Sequence, residues 1–474
     1  MDESGHFLAG GRWLPSHSPE RIPVINPANG RRIGDAPTGC SADVASAVDA
    51  AVTAFPSWRD QTVAARLALL KRLRGALSAR ASDLALLITR EMGTPIGFSR
   101  SAQLGLPLRT FDVVTAAMEA LEDLRTPRSD VHRDPVGVVA AITPWNFPLH
   151  QVAAKVVPAL AAGCTLVLKP SELTPLDARA FAELVESCGF PPGVFNLVHG
   201  GAETGAALAA HPGVDMVTFT GSTAAGRQIA AQAGRDLKKV TLELGGKSAN
   251  LLFDDVDLEK VIPQAVAQCF VNGGQTCAAL TRLLVPRALK TQAEALAVAA
   301  AAAWQPGNPE VDSTRLGPLA SEGQRDRVRE RVARAIAEGT QLLSGGLDQP
   351  RGFDHGAWFL PTVITNVRPD MSICREEVFG PVLVILGYDD EDEAIAVAND
   401  SAYGLSAGVW SVDLDRAERV ARRLHTGQVI LNGAMLDLEA PFGGVGASGI
   451  GRENGRFGLA EFFSLKAITR PTVA

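Results

Sequence analysis

One cysteine stands in a sequence context that could make its thiol a nucleophile. Cys277 ends the segment 270–277, which also holds an asparagine, two glycines and a glutamine. A cysteine attacks as its thiolate, and a usual thiol pKa of about 8.5 leaves a few per cent ionised near neutrality. Glycines let a ligand approach the backbone, and a backbone N–H beside the sulfur could hold an oxyanion. The segment is therefore a candidate for covalent catalysis, although most free cysteines are small buried hydrophobic residues.

Two further segments place charged groups where a predicted strand ends. Glu243 precedes two glycines, and a partly buried carboxylate there could act as a general base or equally cap a helix. Lys169 and Glu172 follow another strand. A carboxylate in that position commonly binds ribose hydroxyls and disfavours a 2′-phosphate, but the two residues also fit a surface ion pair of little energetic value.

The segment 219–226 ends a predicted strand, turns at Gly221 and begins a helix after Ser222. Free N–H groups at the start of a helix favour a phosphate. The glycine spacing is not that of a GxGxxG motif, so the segment alone fits a glycine-turned helix cap equally well.

Alternating strands and helices must position these residues. The predicted strands of the first half are 136–142, 165–168, 194–198, 216–220 and 240–244, each pair separated by a helical pattern. This alternation indicates a parallel, doubly wound sheet, in which ligands bind at the carboxyl ends of the strands. The candidate residues fall at those ends.

A second α/β pattern follows residue 246. Its predicted strands are 249–253, 282–285, 382–386, 405–410 and 429–431, and 293–303 and 321–338 are predicted helices. Between residues 97 and 121 the pattern predicts one long helix. The polar segment 119–137 fits either a surface excursion or an edge hairpin that reaches another subunit, and the tail 462–469 is β-prone.

Composition limits the function classes. The 474 residues are too many for one core, so two or three domains are expected. With 46% hydrophobic residues and a net charge of −7, the chain is typical of a globular protein without a nucleic-acid partner. No apolar run reaches the roughly 18 residues of a membrane span, and no signal peptide is recognised. The six cysteines have neither disulfide-framework nor zinc-site spacing, which favours a cytoplasmic location and no metal.

Taken together, these segments resemble the aldehyde dehydrogenase superfamily over essentially the full chain. The matching stretches are, in order, PWNFP at 144–148, KPSE at 169–172, FTGST at 219–223, LELGGK at 242–247, GQTC at 274–277, EVFGP at 377–381, and PFGG at 441–444 with SGIGR at 448–452. The resemblance implies that Cys277 is the nucleophile and Glu243 the general base. It also implies that the Asn146 amide and the Cys277 backbone N–H hold the oxyanion.

The resemblance further implies an NAD site. Lys169 and Glu172 are expected at the adenine ribose, Ser222 and Trp145 at the pyrophosphate, and Glu377 at the nicotinamide ribose. NADP is possible but disfavoured by Glu172. The complete expected cofactor set is Ile142, Thr143, Pro144, Trp145, Lys169, Ser171, Glu172, Gly221, Ser222, Gly226, Leu244, Gly245, Glu377 and Phe379.

The substrate is expected to be an uncharged aliphatic or aromatic aldehyde. By similarity, its pocket is lined by Phe147, Gln151, Ala154, Thr276, Ala278 and Leu436. These residues are mostly apolar or small, and they include no arginine that could hold a substrate carboxylate.

The implied fold is an aldehyde dehydrogenase-like α/β fold with two doubly wound parallel-sheet domains and a small β oligomerisation flap. Residues 1–118 and 138–245 are assigned to the NAD-binding domain, 246–440 to the catalytic domain, and 119–137 with 455–474 to the flap. The flap implies a homodimer or homotetramer.

The implied activity is NAD-dependent oxidation of an aldehyde to its carboxylic acid through a cysteine thiohemiacetal and a thioester. A CoA-acylating semialdehyde dehydrogenase is the alternative within the superfamily, but that branch typically lacks the glutamate found here as Glu243. A catalytically silent binding protein on the same fold is the alternative from another class. It would be expected to have lost Cys277 or Asn146, and both are present.

Overall fold

The structure is a computed structural model that describes residues 5–122 and 124–471. Its strands are β1 His6–Ala9, β2 Arg12–Pro15, β3 Arg21–Ile25, β4 Arg32–Pro37, β5 Leu124–Arg125, β6 Ser129–Pro135, β7 Val138–Ile142, β8 Thr165–Lys169, β9 Phe195–Leu197, β10 Met216–Thr220, β11 Lys239–Glu243, β12 Ala249–Leu252, β13 Arg282–Pro286, β14 Gln341–Ser344, β15 Thr362–Thr365, β16 Val382–Tyr388, β17 Tyr403–Gly404, β18 Ser406–Trp410, β19 Gln428–Leu431, β20 Val445–Gly446, β21 Gly449–Ile450 and β22 Phe463–Thr469. Its α-helices are α1 Ser41–Arg59, α2 Val63–Ala79, α3 Ala81–Met92, α4 Ile96–Phe98, α5 Gly105–Glu119, α6 Pro148–Ala162, α7 Leu176–Ser187, α8 Ala202–Ala210, α9 Thr223–Arg235, α10 Leu258–Phe270, α11 Lys290–Ala301, α12 Glu322–Ala337, α13 Ser372–Arg375, α14 Glu391–Asn399, α15 Leu414–Ala421 and α16 Gly455–Ala460.

The first sheet has the strand order β2-β1-β9-β8-β7-β10-β11-β21. Its five central strands are parallel, as the sequence predicts. Every residue of β7, β8 and β10 is buried, which is typical of a sheet covered by helices on both faces. The chain adds β8 and β9 on one side of β7 and then returns to add β10 on the other side. The strand order therefore reverses between β7 and β10, although the two strands are parallel. Ligands bind in the crevice at such a reversal.

The second sheet has the order β14-β15-β16-β13-β12-β18-β19, and all its pairs are parallel except β14–β15. Helices α10 and α11 contribute to the core on one face, and α12, α14 and α15 contribute to a separate core. The predicted parallel pattern is therefore confirmed here too. The sequence analysis missed β14 and β15.

The third sheet is antiparallel, with the order β22-β6-β5. β6 and β22 pair along their whole length, from Pro135 opposite Phe463 to Ser129 opposite Thr469. The segments 119–137 and 462–469, which the sequence analysis assigned to a flap and from which contacts between subunits are expected, therefore pair within one chain. Residues 123 and 472–474 of that flap lie outside the described residues. The domain division itself remains a prediction.

Segments late in the sequence complete the first sheet. β21 pairs antiparallel with β11, where Ile450 is opposite Leu242 and Gly449 is opposite Glu243. Phe462 and Phe463 pack into the core that α2, α5 and α6 also form. The segment that contains β21 lies outside all the predicted domains.

The single helix predicted over 97–121 is wrong. A π-helical turn, Ser99–Gln103, separates α4 from α5. Gly105 begins α5, and Pro107 lies in its first turn, where the missing N–H needs no partner. Such π turns occur frequently at functional sites, and Gln103 in this turn is fully buried. Within the described residues, the structure contains no helix with both the length and the apolarity to cross a membrane.

Candidate active site

A cleft opens where β7, β8 and β10 end, at the reversal of the first sheet. Its outer part has a volume of about 590 Å³. Among the residues that line it are nine of the predicted cofactor residues: Ile142, Thr143, Pro144, Trp145, Lys169, Ser171, Glu172, Gly221 and Ser222. The inner part, of about 440 Å³, shares with the outer part a wall that includes Trp145 and Gly221.

The inner part brings together residues that are far apart in the sequence. It is lined by the predicted catalytic residues Cys277, Glu243 and Asn146, and also by Gln151, Leu244, Gly245, Glu377 and Phe379. The rings of Trp145 and Phe379 meet edge to face with centroids 5.4 Å apart. The two walls of the inner part therefore touch through aromatic side chains.

Several predicted residues line neither part of the cleft: Gly226, Phe147, Ala154, Thr276, Ala278 and Leu436. Gly226 lies on α9, where an added Cβ would come within 2.5 Å of the Leu244 side chain. Its absent side chain allows α9 to pack closely on the sheet. Phe147 packs against Phe98, with ring centroids 6.0 Å apart. The substrate-pocket assignments stay predictions.

Lys169 is held at the outer end of the cleft. Its Nζ donates to the backbone oxygens of Gly200 at 2.7 Å and Pro170 at 3.0 Å. Burial lowers the pKa of Lys169 to about 8, and the nearby Glu172 carboxylate opposes that shift. Since an ammonium has three N–H groups, one remains for a ligand hydroxyl.

The start of α9 faces the middle of the cleft. Ser222 caps the helix by accepting the N–H of Ala225 at 3.3 Å, and the Gly221 N–H donates to the Glu243 backbone oxygen at 3.0 Å. An added Cβ on Gly221 would overlap the Phe219 ring. The remaining N–H groups at this helix start can bind a phosphate.

Glu377 anchors the inner part of the cleft. Its Oε1 accepts the N–H of Gly246 at 3.1 Å, and a Cβ on Gly245 would overlap its carboxylate. Burial raises the pKa of Glu377 to about 7, while the Gly246 N–H and the Lys247 ammonium oppose the shift. Lys247 is itself buried, and its Nζ has no hydrogen-bond partner in the described part of the chain.

The environment of Cys277 does not by itself produce a thiolate. The side chain is half-buried. Burial, and then the carboxylates of Glu243 and Glu377, raise the pKa of the Cys277 thiol, and only the Ala278 N–H is a notable opposing influence. Ionisation of Cys277 therefore needs a proton acceptor or a cationic group that binds nearby.

Glu243 can be that proton acceptor. It is 4% exposed, and neither carboxylate oxygen has a hydrogen-bond partner among the residues described. Burial, and then the carboxylate of Glu453, raise the pKa of Glu243 well above its usual range. Lys155 forms a buried ion pair with Glu453 and opposes the shift. At Gly443 an added Cβ would lie 2.5 Å from Glu243 Oε1, so the glycine leaves space beside this carboxylate.

Asn146 lies in the turn between β7 and α6. Its Nδ2 donates to the backbone oxygen of Gln275 at 3.0 Å, so the amide already points at the loop that carries Cys277. The predicted nucleophile, the predicted base and the predicted amide donor thus line one cavity. The sequence profile of the aldehyde dehydrogenase family matches residues 13–468. The chain belongs to the aldehyde dehydrogenase family.

Related proteins share nearly the whole length of the chain. A 3-succinoylsemialdehyde-pyridine dehydrogenase from Pseudomonas sp. is 45% identical over 478 residues, which cover 99% of each protein. Among solved structures, a mutant of aldehyde dehydrogenase C from Pseudomonas syringae, in complex with NAD+ and octanal, has a TM-score of 0.97 and 43% identity over 98% of this chain and 97% of that one. The Mycobacterium tuberculosis aldehyde dehydrogenase with NAD+ has a TM-score of 0.96 and 40% identity over 98% of both chains.

These relationships confirm the predicted fold class and the predicted oxidation of an aldehyde. The inner part of the cleft holds three side chains of the types that an aldehyde dehydrogenase needs for its reaction. The thiol can add to a carbonyl carbon, the amide can hold the resulting oxygen, and the carboxylate can take a proton.

Sequence reasoning missed three polar residues that helix α12 contributes to the aldehyde dehydrogenase cleft. Gln324, Arg327 and Arg331 on α12 line its inner part. Gln324 donates to the Phe379 backbone oxygen at 2.7 Å, and its own Oε1 accepts from Arg327 at 2.7 Å. The alternating charges of α12 are typical of a solvated helix face, so the pattern gave no signal that this face borders the cleft.

Proposed function

We propose that this aldehyde dehydrogenase uses NAD to oxidise an uncharged aliphatic or aromatic aldehyde to the carboxylic acid by hydrolysis of a thioester. The observation that carries the proposal is the meeting of Cys277, Glu243 and Asn146 at the inner end of a cleft whose outer end carries Lys169 and Glu172. The NAD+ complexes of related enzymes support the choice of cofactor.

The cleft fits a dinucleotide by its chemistry. Lys169 and Glu172 would hold the adenine ribose, the start of α9 at Ser222 the pyrophosphate, and Glu377 the nicotinamide ribose. The close approaches at Gly221 and Gly245 leave no room for side chains where the ligand would lie. Bound there, NAD would supply the hydride acceptor.

The chain's own residues carry the remaining steps. The Cys277 thiol loses its proton to Glu243 and adds to the aldehyde carbon. The new alkoxide oxygen is held by Asn146 Nδ2 and the Cys277 backbone N–H, each such donor being worth roughly 3 kcal/mol. Loss of hydride leaves a thioester on Cys277. Glu243 releases the Cys277 proton to solvent and then takes a proton from water, and the resulting hydroxide adds to the thioester. The acid leaves as the Cys277 thiolate departs, and Glu243 returns its proton to restore the thiol.

The charges around the cleft bear on the proposed substrate class. Arg327 bonds to Gln324, and Arg331 donates to Glu376 at 3.0 Å. Both arginines that line the inner part are therefore engaged by other side chains. An uncharged substrate is supported by the related Pseudomonas syringae enzyme, whose structure holds the uncharged aldehyde octanal.

The proposal also includes the oligomeric state and the cellular compartment of the protein. Leu465 and Ile468 on β22 are exposed apolar residues at the three-stranded sheet, and pairing of this sheet between subunits would cover them. We place the homo-oligomer in the cytoplasm.

A panel of aldehydes tests the proposal, with NADH formation followed by absorbance. Octanal, benzaldehyde and a semialdehyde that carries a carboxylate are each supplied with NAD or NADP, with and without CoA. The uncharged aldehydes should turn over with NAD and without CoA. Turnover that requires CoA would instead assign the CoA-acylating reaction, and a strong preference for the carboxylate-bearing aldehyde would overturn the substrate class.

A further inference from the structure

The side-chain amide of Asn272 connects the two loops that supply the oxyanion donors. Asn272 is 4% exposed and lies just before the Cys277 loop. Its Nδ2 lies 2.9 Å from the backbone oxygen of Asn146 and 3.3 Å from that of Gln275. The two hydrogens of one amide group thereby connect the turn after β7 to the loop that carries the nucleophile.

The orientation of this amide is determined by its partners. Backbone oxygens only accept hydrogen bonds, so the atom that faces Asn146 and Gln275 must be the nitrogen. The opposite atom, Oδ1, accepts the hydroxyl of the buried Thr94 at 3.0 Å. The Asn272 backbone oxygen accepts Gln275 Nε2 at 3.1 Å. Every polar group of the side chain is thus satisfied, which holds it in one rotamer.

The backbone also requires an unusual residue here. Asn272 has φ 55° and ψ 29°, in the left-handed region. Asparagine is one of the few non-glycine residues that adopts this region readily. Gly273 follows with φ 65°. Asparagine therefore combines the backbone turn that leads to Cys277 with an amide that can bridge the two loops.

The bridge shares an acceptor with the catalytic amide. The Gln275 backbone oxygen accepts from Asn146 Nδ2 at 3.0 Å as well as from Asn272 Nδ2. If Asn146 turns its Nδ2 toward a developing oxyanion, Asn272 keeps that buried oxygen hydrogen-bonded. Asn146 then changes partner without leaving an unsatisfied carbonyl, whose desolvation is costly. The Asn146 backbone oxygen meanwhile stays fixed by Asn272 and by Gln103 Nε2 at 3.0 Å.

We propose that Asn272 is a positioning residue for the oxyanion site. It fixes the Asn146 turn against the Cys277 loop and maintains the Gln275 carbonyl when Asn146 donates to the reacting oxygen. The inference rests on the proposed function for the role of Asn146. It does not require hydride transfer, because any acylation of Cys277 passes through the same oxyanion.

Two variants distinguish the effect of the Asn272 side-chain amide from the effect of its left-handed backbone conformation. Asn272→Asp keeps the shape and the tolerance of a left-handed backbone but places an oxygen against the two carbonyls. Asn272→Gly keeps the backbone and removes the side chain. Both should lower kcat for the aldehyde by ten-fold or more, with little change in the KM for NAD. Cys269→Ala on the preceding helix is the control and should leave kcat unchanged, because that side chain lies in the core.

A double-mutant cycle with Asn146→Ala distinguishes positioning from general destabilisation. If Asn272 acts through Asn146, Asn272→Gly should lower the acylation rate much less in the Asn146→Ala background than in the wild type. Fully additive losses in the cycle, or a wild-type kcat in both Asn272 variants, would overturn the inference. Melting temperatures of all variants show which of them are folded.

An activated ester tests the inference apart from the redox reaction. p-Nitrophenyl acetate can acylate Cys277 without NAD, so p-nitrophenolate release reports on the oxyanion site alone. Asn272→Asp should slow this release by at least the same factor as it lowers kcat. A wild type that releases p-nitrophenolate but forms no NADH would sink the proposed function and leave the inference standing. An Asn272→Asp protein that is acylated at the wild-type rate would sink the inference alone.

Discussion

The carboxylate of Glu91 caps helix α7 by accepting the backbone N–H of Asp177 at 3.1 Å, and that of Leu176 at 3.0 Å. Both acidic side chains are fully buried. Burial, and then the neighbouring Asp177 carboxyl, raise the pKa of Glu91 well above its usual range, and burial raises the pKa of Asp177 to about 7. The folded protein therefore keeps a proton that the unfolded chain loses near pH 4.

This pair should make the stability depend on pH. A raised pKa in the folded state stabilises fully below the unfolded value of about 4, and the contribution is lost as the pH rises through about 7. Each retained proton contributes a slope of about 1.4 kcal/mol per pH unit. Asp177→Asn, which cannot ionise, should flatten the fall in melting temperature between pH 5 and 8 relative to wild type. Parallel curves would show that the pair does not titrate in this range.

The nucleophile is tested by Cys277→Ser. The variant should lose dehydrogenase turnover and keep nearly unchanged affinity for NAD, because the thiol reacts with the aldehyde and not with the dinucleotide. Steady-state NADH formation and NAD titration by fluorescence measure the two properties. Cys269→Ala is the matched control and should keep turnover at a modest loss of stability. Substantial turnover in Cys277→Ser would refute the assignment.

The base of the second half-reaction is tested by Glu243→Gln. This change keeps the shape of the side chain and removes its basicity, so thioester hydrolysis should slow more than hydride transfer. A burst of NADH close to one per active site should precede very slow turnover as acyl-enzyme accumulates. Hydroxylamine should partly restore turnover. A burst lost together with turnover would mean that solvent water cannot replace Glu243 as the acceptor of the Cys277 proton.

The cofactor preference is tested at the outer end of the cleft. Glu172 should repel a 2′-phosphate, and the adjacent ammonium of Lys169 should offset part of that repulsion. Glu172→Gln should therefore raise kcat/KM for NADP relative to NAD. Wild-type and variant enzymes are compared with both cofactors at saturating aldehyde. A wild type that prefers NADP would mean that Glu172 does not border the ribose.

The assembly is tested on the exposed face of β22. Leu465 is 67% exposed, and Leu465→Glu should dissociate the oligomer because a carboxylate cannot be buried unpaired at low cost. Val412→Glu is the control, since Val412 is similarly exposed, at 74%, but lies outside the three-stranded sheet. Light scattering gives the mass of each protein. A wild-type monomer, or an unchanged mass in Leu465→Glu, would contradict the proposed contact.

The sequence predicted those features that local pattern determines. The strands β7, β8 and β10 are short runs of buried apolar residues, and their ends carry the motif residues. The π-helical turn that ends at Gln103 was missed because its periodicity over five residues hardly differs from that of an α-helix. The bridging role of Asn272 depends on contacts with distant segments, and no local pattern encodes such contacts.

The pairing of β21 with β11 also constrains how the protein is made. The strand that carries Glu243 lies at the edge of the parallel part of its sheet until Gly449 and Ile450 arrive. A ribosome synthesises the chain from the N-terminus. One edge of the first sheet, at β11, therefore stays unpaired while the entire second sheet is translated. An open edge invites pairing with other chains. We therefore expect nascent chains that stall between residues 380 and 448 to depend on chaperones, even though they already contain every residue that lines the cleft.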